Sequence, residues 1–263
     1  MRARRIAAAA LLGWWSVACG HTAPVGQEVA SSTTSPVTMV PGTQPVPPDP
    51  RIGAVFLGGG DLHTCTASVL DSTRGDLILT AAHCLSGGID ATFVAGFDDD
   101  ADAADTWHID TIYLDPRWIA EQDPLADFAI ARVSGGAGDS VAARAGGGLR
   151  IGEAPAHGTT VTVTGYGVGE GGGPIQCRSA TASTAGFPSL SCRGLVAGVS
   201  GSPWTTGTHN STVTGLVGGL DGGGCDDDVS YSPPFDGAIT QLLTRAEAGG
   251  PGDEAPTVFD DGC

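Results

Sequence analysis

No lysine occurs in this 263-residue chain. All 12 basic residues are arginines, set against 29 acidic ones, and the formal net charge is −17. A chain so short of positive charge excludes nucleic acid as a partner and is repelled by an anionic membrane surface. Long apolar runs are also missing. The run from Ile6 to Ala18, about thirteen residues, is too short to span a bilayer. Long helical periodicities are few. His21, His63, His108, His157 and His209 lack metal-ligand spacing and read as surface or structural residues, so no metal site is expected from them.

What is plentiful is glycine (42 residues) and proline (17), which favours an all-β protein with many turns. A hydrophobic fraction of 41% supplies a sizeable core for one two-lobed domain. Met1-Arg-Ala-Arg-Arg5 followed by the short apolar run reads as a secretory signal over residues 1–18, and its removal takes the net charge to about −20. Ser16-Val-Ala-Cys19 resembles a bacterial lipobox, in which Cys19 would be lipidated and anchor the protein to a membrane; ordinary cleavage near Ala18 is the alternative. Residues 19–50 are rich in Ser, Thr and Pro and read as a flexible tether. A folded domain is expected over 51–247 and an acidic tail over 248–263.

Three stretches carry chemistry. Gly198-Val-Ser200-Gly201 places a serine in a tight glycine turn. Leu77-Ile-Leu-Thr-Ala-Ala-His83-Cys84 is an apolar, β-prone run ending in histidine and cysteine. Asp127-Phe-Ala-Ile-Ala-Arg-Val133 is another such run, opened by an aspartate. A serine hydroxyl is a weak nucleophile that needs a base, and a histidine that is neutral near pH 7 supplies one. A buried aspartate then fixes the imidazole tautomer and stabilises the imidazolium that forms.

With His83, Asp127 and Ser200 in that order, the sequence resembles the chymotrypsin-like (trypsin-fold) serine proteases. Thr80-Ala-Ala-His-Cys84 matches the family's histidine motif, and Asp123-Pro-Leu-Ala-Asp127-Phe-Ala-Ile130 looks like its aspartate motif. The serine motif is closer to the bacterial secreted branch, which includes glutamyl-endopeptidase-like and streptogrisin-like enzymes. The resemblance spans roughly residues 51 to 247. It implies two six-stranded antiparallel Greek-key β-barrels and a short C-terminal helix, here capped by Asp236. It also implies a monomeric, extracellular endopeptidase that acts on polypeptides through an acyl-enzyme and needs no cofactor.

Residue by residue, the resemblance puts the oxyanion hole at the N–H groups of Gly198 and Ser200. The substrate site falls at Leu195, Val217, Gly218, Gly219 and Leu220. Cys65–Cys84 matches the family bridge beside the histidine, Cys177–Cys192 is expected to be a second, and Cys225–Cys263 is left by elimination. Val199 replaces the aspartate that animal trypsins pair with a newly cut N-terminus, so a site formed on folding is expected, although Arg51-Ile52 could be a processing site. Gly218 stands where many relatives have a serine that supports the aspartate, which would weaken activity. Leu220 favours a small or medium apolar P1 residue, whereas an inward carboxylate from Asp226, Asp227 or Asp228 would select arginine or lysine. Glu specificity lacks its pocket histidine at Val217. Asp98-Asp-Asp100, Asp102 and Asp105 could bind calcium, but a solvated acidic loop is favoured. The rival classes are a protease-fold binding module without turnover and an esterase.

Overall fold

The structure, a computed structural model, describes residues 40–86, 90–99, 105–135, 138–257 and 259. The expected signal peptide, Cys19, most of the tether, Asp100, Asp102 and Cys263 lie outside the described residues. The last ten residues of the expected tether differ from expectation. A short strand, β1 (Gln44–Pro45), pairs with residues 175–176, and Thr43 and Val46 donate backbone hydrogen bonds to Arg193 and Pro174. Backbone pairing to the second half of the molecule holds this proline-rich stretch in place.

A closed six-stranded antiparallel barrel follows. Its strands are β2 (Ile52–Leu57), β3 (His63–Val69), β4 (Leu77–Thr80), β5 (Ala91–Ala95), β6 (Thr106–Leu114) and β7 (Ala129–Gly135). They run around the barrel in the order β2-β3-β4-β7-β6-β5. All four β4 side chains are buried. In β6, Trp107 and Ile109 point inward while His108 and Asp110 face out, the period of two that a half-buried strand requires. Val55, Leu77, Leu79, Phe93, Trp107 and Ile130 belong to one continuous core. Two helices were not expected: α1 (Pro116–Glu121), whose N-cap Asp115 accepts from the Arg117 N–H, and the single turn α2 (Val141–Arg144).

The second half is an eight-stranded sheet, which with the closed first barrel is consistent with the expected two-barrel fold. It contains β8 (Arg150–Ile151), β9 (Thr160–Gly165), β10 (Ile175–Thr184), β11 (Phe187–Ser191), β12 (Pro203–Thr206), β13 (Thr212–Leu216) and β14 (Val229–Tyr231). The order is β14-β11-β10-β9-β12-β13-β8, with β1 added on β10. The β8–β13 pair is parallel, an exception to the expected antiparallel plan. Strand β11 ends at Ser191. Beyond it the N–H groups of Gly194 and Leu195 both turn to the Asp227 carbonyl, leaving the sheet ladder. Val161, Val163, Leu190, Trp204 and Val217 form this half's core.

The C-terminal helix α3 (Gly237–Ala248) starts at Asp236, whose carboxylate accepts from the Ala238 N–H at 2.7 Å. Its buried residues Ile239, Leu242 and Ala246 recur at helical spacing and join the core of the first barrel. Among the described residues, no helix is long and apolar enough to cross a membrane.

Candidate active site

Strand register brings the first two site residues together. In the antiparallel β4–β7 pair, Thr80 lies opposite Ala129. His83 follows Thr80 by one turn and Asp127 shortly precedes Ala129, so both emerge at the same end of the barrel. His83 opens a 3₁₀ turn (His83–Leu85) anchored by buried Cys84 and Leu85. Asp127 closes another (Pro124–Ala126), which Asp123 caps through the Leu125 N–H.

Asp127 is completely buried. Its Oδ2 lies 2.8 Å from His83 Nδ1, and its Oδ1 accepts the His83 backbone N–H at 2.9 Å. A third donor, the Gly219 N–H, reaches Oδ2 at 2.8 Å. Burial pushes the Asp127 carboxyl up, but His83 and the two backbone donors outweigh it and hold the group below the ordinary carboxylate range. A carboxylate can only accept, so Nδ1 carries a proton and Nε2 is the ring nitrogen left for Ser200.

Ser200 is tied to both halves. Its carbonyl accepts from the Thr66 N–H at 2.8 Å, while the next residue, Gly201, donates to the Val217 carbonyl at 2.7 Å. Thr66 neighbours Cys65, and the Cys65–Cys84 disulfide joins that strand to the His83 turn. The serine turn and the histidine turn are therefore both anchored to β3. Among the described residues the Ser200 hydroxyl makes no hydrogen bond, and neither the Gly198 nor the Ser200 N–H donates to an acceptor. Gly198 has φ +95°, and a Cβ there would lie 2.1 Å from the Val168 nitrogen, so only glycine suits the position.

A cavity of about 260 Å³ opens beside this turn and is lined by residues that include Gly198, Ser200, Leu195, Val217, Asp221 and Asp227. Of the five residues assigned to the substrate site from sequence, Leu195 and Val217 line it. Gly218 and Gly219 pack on Asp127 instead, and Leu220 starts a 3₁₀ turn (Leu220–Gly223) without lining the cavity. Asp227 alone of the 226–228 run lines it. Asp221, not singled out from sequence, joins it because its left-handed turn (φ +49°) bends the chain back toward Val217.

A family model described as Trypsin matches residues 40–232. The chain belongs to the trypsin family. No curated protein matches it in sequence. Among solved structures, a protease named Anisep from Arthrobacter nicotinovorans is similar, with a TM-score of 0.69 and 22% identity over 79% of this chain and 100% of that one. A Glu endopeptidase has a TM-score of 0.62 and 17% identity over 80% of this chain and 98% of that one. Human heparin binding protein has a TM-score of 0.63 and 17% identity over 81% and 100%. These likenesses are of fold. Membership of the trypsin family supports a serine protease, a hydrolase whose substrate is polypeptide and whose relatives typically need no cofactor.

Two departures from animal trypsins take physical form in this trypsin-family chain. Val199 is buried among Val161, Val163 and Trp204, so a hydrophobic contact fills the place of an ion pair. Ile52 is buried in β2 and its N–H donates to the Asp49 carbonyl, while Arg51 is paired with Asp49. The Arg51-Ile52 bond is thus part of the folded barrel. A Gly218 Cβ would fall 2.9 Å from Asp127 Oδ2, so the supporting serine has no room, and the Gly219 N–H donates in its stead.

The remaining assignments separate clearly. Cys177–Cys192 is a disulfide, and Cys225 is also disulfide-bonded; Cys263, its expected partner, is not a described residue. Disulfides suit an oxidising, extracellular setting. Of the acidic run considered for calcium, Asp105 is paired with Arg144 and Asp99 accepts from the Gly172 N–H. Among the described residues the one cluster with metal-ligand geometry is Cys65, Cys84 and His83, and its two sulfurs are bonded to each other. Sequence reasoning missed Phe259, whose ring stacks on His83 with centroids 4.8 Å apart and planes 15° apart. Nothing local marks it. The contact links residues far apart in the chain.

Proposed function

We propose that this protein is a secreted serine endopeptidase in which Ser200 is the nucleophile, His83 the general base and Asp127 the group that orients it. Ser200 Oγ attacks the peptide carbonyl as His83 Nε2 takes its proton. The tetrahedral oxyanion is held by the N–H groups of Gly198 and Ser200, which have no acceptor among the described residues. The C–N bond then breaks, His83 protonates the departing amine, and water hydrolyses the acyl-enzyme by the same route. The observation that carries this reading is the His83–Asp127 pair, in which a fully buried carboxylate accepts three hydrogen bonds.

The P1 residue is arginine or lysine. Asp227 lines the cavity, and among the described residues no basic residue lines it as well. Its carboxylate favours a cation, while Leu195 and Val217 supply apolar contact for the alkyl stem. Cys19, at the start of the Ser/Thr/Pro-rich segment 19–50, is the lipid anchor, and the protein acts as a monomer.

Phosphonate labelling with peptide mapping tests the assignment, with Ser200→Ala as control. Label confined to Ser200 supports it. Absence of label on folded, disulfide-bonded protein would mean a required cut or a binding module, and repeating the labelling after cleavage at Arg51 decides between them.

A further inference from the structure

Beyond the end of α3 the chain folds back along the first barrel. The Asp253 N–H donates to the Ile112 carbonyl at 2.8 Å, and the Asp253 carboxylate accepts the Leu114 N–H at 2.8 Å and pairs with Arg245. Ala255 is buried in the barrel core. This path delivers Phe259 to the cleft, where it covers one face of the His83 imidazole and rests on buried Trp118, centroids 5.5 Å apart. Phe259 itself is only half-buried, so the ring is part of the cleft's surface.

We propose that Phe259 is a specificity-determining residue that walls the substrate site beside His83 and restricts the residue preceding the cleaved bond, P2, to small side chains. The inference rests on the protease reading above. An extended peptide turns successive side chains to opposite sides. With P1 in the cavity of the second half, its neighbours face the first barrel, where His83 stands. The side leading away from the leaving amine is taken as that of Val217–Gly219, the segment that resembles the family strand pairing with the substrate backbone; its last N–H is bonded to Asp127. Asp127 directly follows the Pro124–Ala126 turn and α1, the helix that carries Trp118. Thr66, which donates to the Ser200 carbonyl, and the Cys65–Cys84 bridge belong to β3 and the His83 turn. Phe259, backed by buried Trp118, therefore stands where P2 arrives. The apolar face that a large P2 side chain would use is already covered by a ring of the protein's own.

The test uses the full chain, quenched peptides sharing the P1 residue that wild type cleaves fastest, and Gly, Ala, Leu or Phe at P2. Wild type is expected to favour Gly and Ala over Leu and Phe by about tenfold or more in kcat/KM, the scale on which fit in an apolar site discriminates. Phe259→Ala should raise the large-to-small ratio by about tenfold. Asp253→Ala, which frees the tail from Leu114 and Arg245 without touching the ring, should shift the ratio the same way. An equal change for every P2 residue, or none, overturns the proposal, since a merely structural tail would not alter the ratio. Wild type that labels at Ser200 yet cleaves all four peptides alike overturns this inference alone. No label and no cleavage in any variant overturns the protease reading with it.

Discussion

The Gly219 N–H donates to Asp127 Oδ2 at 2.8 Å, and the neighbouring Gly218 leaves no space for a side chain beside that carboxylate. A backbone group thus does what a serine hydroxyl does in many relatives. It cannot rotate away and has no side-chain entropy to lose on ordering.

Restoring the serine should therefore harm the protein. Gly218→Ser places a Cβ 2.9 Å from both Asp127 Oδ2 and Leu216 Cδ1. Overpacking of this kind costs about 1–3 kcal/mol. A lower Tm together with slower phosphonate labelling is the expected result, and a faster-labelling variant would contradict the geometry.

Removing the nucleophile should abolish turnover while sparing the fold. Ser200→Ala is expected to lower kcat by on the order of 10⁶, and Asp127→Asn by about 10⁴ because the wrong imidazole tautomer is then held. Ester hydrolysis by purified variants checks both, with Tm as the control for folding.

Activity should not wait on a cut after Arg51. With Val199 buried and Ile52 inside β2, Arg51→Gln is expected to label at Ser200 at the wild-type rate. Intact-mass measurement before labelling shows that the bond is uncut. Label appearing only after cleavage would reverse this view.

Acid should weaken the fold in two separate windows. Burial pushes His63 below the ordinary histidine value, opposed in part by the Gly171 carbonyl that accepts from its Nε2. The unfolded chain then binds a proton that the folded one refuses, so stability falls as pH drops below about 6.5. Asp127 is depressed instead, so its contribution is complete above about 3.9 and is lost as pH falls through the folded value. His63 sits among Phe56, Phe97 and Tyr166, and His63→Phe should flatten the first window alone. Tm measured from pH 7 to pH 3 for both proteins decides it.

Loss of the Cys65–Cys84 bridge should cost about 3 kcal/mol, as expected for a loop closed over 19 residues. The paired serine variant, unfolded in urea, is expected to show a lower midpoint. Its Ser200 labelling should fall as well, because the bridge joins the His83 turn to the strand that holds Ser200.

Much of the fold was legible because its signals are local. The Asp236 cap depends on nearest neighbours, and the structure places the helix it starts where the sequence implies. β12 is hard to read locally, because Pro203 and the glycine turn before it hide a strand whose first residue needs no N–H. The three chemical motifs stood out because each couples a reactive residue to a β-prone run or a glycine turn. Asp221 and Phe259 did not. One reaches the cavity through a left-handed turn, and the other through a tail fixed by Asp253 to β6. Neither path is written in the residues around them.

The packing of α3 and Asp253 on β6 and β7 also sets an order in time. These strands reach their covering helix only after more than a hundred further residues have been made. A chain leaving the ribosome or a translocation pore N-terminus first thus has an uncovered barrel wall, and no seated Ser200 turn, until its second half arrives. The delay between making β6 and making Asp253 is the time for which that wall stays uncovered.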